Sequence, residues 1–154
     1  TNCSNNYGPF QHPEKLIPKI IINSILGLDI PIYGNGENIR DWLYVKDHIK
    51  ALEKIFLKSI PGTKYCIGGN SEINNIDLAK MICQIIDEMQ IKKNNNNKKS
   101  QIKFVKDRPG HDFRYSINSS LIQNDLCWQP EVSLEIGLKE TINWYLSNEN
   151  WWNS

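Results

Sequence analysis

The 154-residue sequence is short of several things, and each shortage excludes something. It has 3 Arg against 15 Lys, and 18 basic residues against 17 acidic ones. That balance removes the basic footprint of a nucleic-acid binder and the acid-rich composition of a disordered tail. No apolar run reaches the roughly 18 residues of a membrane span; the longest, around Ile20 to Leu28, is broken by Asn23, Ser24 and Gly27. No charged-then-apolar signal peptide opens the chain. Cys3, Cys66, Cys83 and Cys127 stand 63, 17 and 44 residues apart, and His12, His48 and His111 are equally scattered. Neither set has metal-ligand spacing, so no metal site is expected. Isolated cysteines in mostly apolar surroundings suit free thiols in a reducing cytosol, and a cytoplasmic location is expected. Also missing are a G-x-G-x-x-G dinucleotide loop, a nucleophile–base pair and two carboxylates forced together by spacing. No catalytic residue is therefore assigned.

What is present alternates between strand and helix periods, which points to the α/β class. Helices are expected over 13–28, 47–57, 76–89, 119–126 and from Ser133 through Leu146; strands over 30–33, 41–45, 64–67 and 102–105. On the second helix, Ile49, Leu52, Ile55 and Phe56 share one face. The run Lys92 to Lys99 has nothing apolar to bury and reads as a solvated loop. Four short strands make a poor doubly wound sheet by themselves, and residues 1–6 read as the exit of a strand begun elsewhere. The chain is expected to be the C-terminal part of a larger one.

Four clusters have chemical potential. Asn5 and Asn6 precede Gly8-Pro9 and follow a strand, where α/β sheets bind ligands or where amides merely cap a turn. Tyr33 beside Gly34 can stack on a base, and Arg40 can grip a phosphate through two parallel hydrogen bonds; the alternative is a core tyrosine and a surface Arg40–Asp41 pair. Asp107-Arg108-Pro109-Gly110-His111-Asp112 holds a second of the scarce arginines, in a turn that Pro109 and Gly110 fix. Gly68-Gly69 with Asn74-Asn75 permits a close backbone approach or serves as a plain turn and helix cap.

Taken together, Thr1 to Phe10, Pro13-Glu14-Lys15-Leu16-Ile17-Pro18, Pro31 to Gly34, Ile39 to Val45, Tyr65 to Gly69 and Asp107 to Asp112 closely resemble the dTDP-glucose 4,6-dehydratases. That family lies within the extended short-chain dehydrogenase/reductase superfamily. Ile39 to Val45 alone indicates only the superfamily; the Pro-Glu-Lys-Leu-Ile-Pro and Asp-Arg-Pro-Gly-His segments are more specific. The resemblance implies a substrate-binding region covering most of residues 1–154. Segments of about 1–10 and 40–70 would complete an NAD-binding Rossmann domain whose N-terminal part lies outside this sequence. It implies NAD as cofactor, with most of its site in that absent part, and dTDP-glucose or a similar sugar nucleotide as substrate. The implied product is the 4-keto-6-deoxy sugar nucleotide, and the implied full-length assembly a homodimer.

By the same resemblance, Asn6 meets the nicotinamide end of NAD. Asn5, Lys15, Leu16 and Asn75 contact the sugar nucleotide. Pro31, Ile32 and Tyr33 form the base pocket. Arg40 and Arg108 clamp the pyrophosphate, with Asp107, Pro109, Gly110 and His111 in the loop around it. A UDP-glucose 4,6-dehydratase, a related epimerase or decarboxylase, and a truncated non-catalytic binding remnant are the alternatives. The 154 residues alone are expected to be inactive and to aggregate.

Overall fold

The computed structural model describes residues 1–89 and 101–153. The stretch Lys92 to Lys99 lies outside them.

The chain begins with two short strands, β1 (Asn2–Cys3) and β2 (Asn5–Tyr7), followed by helix α1 (Leu16–Leu26). The helix starts three residues later than the periodicity suggests. Residues 13–15 form a turn in which Lys15 N–H donates to His12 O at 3.0 Å. Pro18 falls in the first helical turn, where its missing N–H costs nothing. At the other end Gly27 takes φ +68°, and Leu28 N–H closes on Asn23 O at 2.8 Å. A left-handed residue there ends the helix cheaply only when it has no Cβ.

Next come β3 (Ile30–Tyr33), β4 (Ile39–Tyr44), helix α2 (Val45–Lys58), β5 (Cys66–Ile67), β6 (Glu72–Asn74) and helix α3 (Asn75–Glu88). The remainder is β7 (Ile102–Val105), β8 (Arg114–Tyr115), α4 (Ser120–Leu126), α5 (Leu134–Ser147) and α6 (Glu149–Trp152). Among the described residues three small sheets result. β1 pairs with β5 and β3 with β7, both parallel. The central β4 pairs β2 in parallel through Trp42–Tyr44; its first half lies between antiparallel β6 and parallel β8. β6 and β8 are too short, at 3 and 2 residues, to show a period in sequence.

β4 divides the interior by alternation. Trp42 and Tyr44 join the larger core with Tyr7, Ile17, Ile20, Ile32, Leu78, Ile82, Leu138 and Tyr145. Leu43 points the other way into a smaller one with Ala51, Tyr65, Ile67, Ile122, Leu126 and Trp128. α3 buries Leu78, Ala79, Ile82, Ile85 and Ile86 on one face. α2 does not bury its apolar face in this way: Ile49, Leu52 and Phe56 are exposed, Phe56 by 88%, and the fully buried positions are Asp47 and Ala51. Asp47 earns its burial by accepting from Glu131 N–H and Val132 N–H at 3.0 and 2.9 Å. Among the described residues no helix is long and apolar enough to cross a membrane, and no group of His, Cys, Asp or Glu is arranged to hold a metal.

Candidate functional site

A cavity of about 540 Å³ opens between β2, β3, β4 and the start of α1. Each element contributes through its own geometry. Asn5 and Asn6 come from β2, Pro31 and Tyr33 from β3, and Arg40 and Trp42 from one face of β4. Lys15, Leu16 and Lys19 stand on the first turns of α1, Asn75 opens α3, and Arg108 and His111 lie on the loop after β7. Ten of the expected site residues thus meet on one wall. The other four do not. Ile32 is buried in the larger core, because alternation along β3 turns it away from Pro31 and Tyr33. Asp107, Pro109 and Gly110 shape the loop without lining the cavity.

Tyr33 is not a core tyrosine; it is half exposed, with its ring centroid 6.5 Å from that of His111 in an edge-on arrangement. Nor do Arg40 and Asp41 form a surface pair. Both are buried and point to opposite faces of β4. The Asp41 carboxylate accepts from Gly69 N–H at 2.8 Å and Ser71 N–H at 2.7 Å, which pins the loop after β5. Arg40 donates to backbone carbonyls: Ile39 O at 2.7 Å, Asp112 O at 2.8 Å and Phe113 O at 3.4 Å. The Tyr115 ring lies over its guanidinium, 4.5 Å from centroid to Cζ. Burial lowers its pKa, and the like charge of Arg108 acts in the same direction, against Tyr115 and Asp112.

The lining holds Lys15, Lys19, Arg40 and Arg108 against one acid, Glu14, so its field favours an anion. The loop is braced by Asp107: its carboxylate pairs with His111 Nδ1 at 2.7 Å and accepts Arg108 N–H at 2.8 Å. The His111 contact holds the Asp107 carboxyl below its ordinary range. Three sealed polar atoms on the lining residues have no protein partner: Trp42 Nε1, Asn75 Oδ1 and Gln11 Oε1. An indole donor and two amide acceptors buried without partners beside the cavity are polar groups that the protein itself does not satisfy.

The Asn6 amide is held from three sides. Its Nδ2 donates to Ser4 O at 3.0 Å and contacts Cys3 Sγ at 3.2 Å, and its Oδ1 lies 2.8 Å from His48 Nδ1. Because Ser4 O only accepts, the amide orientation is fixed, and His48 must hold its hydrogen on Nδ1. Burial lowers the His48 pKa, consistent with a neutral ring. The expected site residues do not include Gln11, Glu14, Lys19, Trp42 or His48. Two of them carried a signal: Lys19 is four residues past Lys15 on a helix, and Trp42 two past Arg40 on a strand.

These elements define an α/β segment with parallel strand pairs and a cationic cavity between its strands and α1. The comparisons refine it. The sequence pattern of the GDP-mannose 4,6 dehydratase family matches residues 1–141. The chain is 54% identical over 154 residues to the dTDP-glucose 4,6-dehydratase of Escherichia coli, covering 99% of this chain and 42% of the relative. The solved dTDP-glucose 4,6-dehydratase of Bacillus anthracis, in complex with NAD, superposes with a TM-score of 0.86 at 42% identity, over 98% of this chain and 45% of that one. The Streptomyces venezuelae dTDP-glucose 4,6-dehydratase, solved with NAD and a second ligand bound, gives 0.84 at 37% identity, over 97% and 44%. The chain belongs to the GDP-mannose 4,6 dehydratase family. It spans about two fifths of the length of the curated relatives it matches.

Proposed function

We propose that this chain is the sugar-nucleotide-binding, C-terminal part of an NAD-dependent dTDP-glucose 4,6-dehydratase. In this reading the complete polypeptide converts dTDP-glucose to dTDP-4-keto-6-deoxyglucose and water. The observation that carries it is the cavity: four cations and an exposed tyrosine ring line it, beside three buried polar atoms without partners. A nucleotide diphosphate sugar has a flat base for Tyr33, a diphosphate for the cations and hydroxyls for open amide and indole groups. The relatives named above support the same substrate and cofactor.

The residues present fit NAD along one edge only. Around Asn6, Ser4 Oγ, Gln11 Oε1 and His48 Nε2 are sealed without partners, which suits one polar end of a ligand. When bound, NAD supplies the hydride acceptor. This chain's residues bind and orient. Arg108, whose guanidinium makes no hydrogen bond to a described residue, is free to take a diphosphate oxygen. Lys15 and Lys19 add charge from α1, and Asn75 offers its Oδ1 to a hydroxyl. The strand pair β1–β5, α2 and the smaller core complete a Rossmann domain begun upstream. The 154 residues alone bind without turning over, and the complete protein is a cytoplasmic homodimer.

The test is calorimetry and product NMR on the complete polypeptide with dTDP-glucose, UDP-glucose and NAD. Formation of the 4-keto sugar from dTDP-glucose is expected. Arg108→Ala should weaken binding about tenfold or more, because a charge-assisted hydrogen bond contributes about 1.5–3 kcal/mol. A wild-type protein that ignores dTDP-glucose, or an Arg108→Ala variant of unchanged affinity, would refute the reading.

A further inference from the structure

We propose that the aromatic C-terminal turn is a positioning device: Trp144, Tyr145 and Trp151 clasp Phe10 and Gln11, and so hold the 8–15 loop that brings Gln11, Glu14 and Lys15 to the cavity. The proposal deepens the sugar-nucleotide reading above and rests on it.

The 8–15 loop joins β2 to α1, and cavity residues stand at both of its ends: Asn5 and Asn6 before it, Gln11, Glu14, Lys15 and Leu16 within it or just after. Part of its hydrogen bonding is local. Gln11 N–H donates to Gly8 O at 3.4 Å, Gln11 Nε2 to Asn6 O at 2.8 Å, Lys15 N–H to His12 O at 3.0 Å and Glu14 N–H to His12 Nδ1 at 3.4 Å. These bonds shape the loop and tie it to β2. The tie to the far end of the chain is made by two neighbouring residues. The Tyr145 hydroxyl donates to Gln11 O. The Phe10 ring lies 4.7 Å from that of Trp144 and 5.9 Å from that of Trp151, centroid to centroid, tilted 55° to the first and edge-on to the second. Both are favourable arrangements for aromatic pairs.

Phe10 is an unfavourable residue for its own backbone. Its φ is +62°, a left-handed conformation that side chains bulkier than Asn rarely adopt. It is also 69% exposed, so burial gives little in return. The ring contacts are what hold it there. Their support is firm: Trp144 and Trp152 pack on the larger core. Asn148 Nδ2 donates to Trp144 O and Trp152 Nε1 to Tyr145 O, both at 2.8 Å, which folds α6 back on the end of α5. That fold sets the Trp151 ring 5.1 Å from Trp144 and 6.3 Å from Tyr145. A loop fastened to this support presents Gln11 and Lys15 already in place. A loop released from it must be ordered by the ligand, which lowers affinity.

Two variants of the complete polypeptide test this at an exposed position, where the core is untouched. Phe10→Asn suits the left-handed backbone and removes the ring; Phe10→Tyr keeps the ring. Amide hydrogen exchange without ligand, read over residues 8–16, should speed up about tenfold in Phe10→Asn and stay within about twofold of the wild type in Phe10→Tyr. In calorimetry with dTDP-glucose, Phe10→Asn should weaken binding about fivefold, and Phe10→Tyr should restore it. Lys15→Ala should cost about tenfold in the wild type and under about threefold in the Phe10→Asn background, because a lysine on a loosened loop has less to lose. A side chain that served folding alone would leave that coupling at zero. Unchanged exchange in Phe10→Asn, an equal loss in Phe10→Tyr, or losses from Phe10 and Lys15 that simply multiply, would overturn the proposal. If the wild type binds no sugar nucleotide, the functional reading fails by itself, and exchange still judges the clasp.

Discussion

Gly69→Ala should be among the most damaging single-methyl changes in this protein. An added Cβ would lie 1.9 Å from Trp42 O, 2.5 Å from Trp42 C and 3.0 Å from Leu43 Cα. All three are backbone atoms of the central strand, so no side-chain rotation relieves the clash. An ordinary carbon–oxygen contact needs about 3.3 Å, so the loop and β4 must separate by about 1.4 Å. The hydrogen bond from Gly69 N–H to Asp41 Oδ2 is 2.8 Å long and would then pass the useful limit. Losing a buried bond to a carboxylate costs about 1.5–3 kcal/mol, and overpacking strain about 1–3 kcal/mol more. We expect about 3–5 kcal/mol in all, a large fraction of the 5–15 kcal/mol typical of a domain. Because Trp42 also lines the cavity, ligand affinity should fall with it. Gly62→Ala is the control: it has φ +90° but nothing within 4 Å, so only the backbone cost of about 1–2 kcal/mol applies. Urea denaturation followed by tryptophan emission compares the two. A Gly69→Ala variant within about 1 kcal/mol of the wild type, or no worse than Gly62→Ala, would refute the contact argument.

Three further expectations follow from particular contacts. Burial lowers the His48 pKa, so the unfolded chain takes up a proton at higher pH than the folded one. The stability this group contributes is complete above about pH 6.5 and declines as pH falls through that value; thermal melts from pH 7.5 to 5 should lose part of their slope in His48→Asn, and an identical slope would contradict the assignment. Asn74 caps α3 by accepting Asp77 N–H at 2.7 Å, and Asn74→Ala should cost about 1 kcal/mol in denaturant titrations. The outward face of α2 should make the 154-residue chain self-associate; light scattering should show smaller particles for the Phe56→Lys, Leu57→Lys double variant, and equal size would exclude α2 as the contact.

The sequence by itself determined a good deal. Helical periods located α1, α3 and α5, and the apolar run Ile30–Tyr33 matched a strand residue for residue, because local patterning and capping residues act within a few positions. The scarcity of arginine drew attention to Arg40 and Arg108, and both lie on the cavity wall. Tertiary structure alone decided the rest. Whether the apolar face of α2 turns inward depends on what lies beside it, and periodicity shows only that a face exists. β6 and β8 exist because β4 offers partners to short segments far away in sequence, and no local pattern encodes that. The surroundings of the two arginines differ for the same reason. A guanidinium bonds backbone or stands free according to which acceptors the fold brings near, and two of the three around Arg40 come from residues more than seventy positions away.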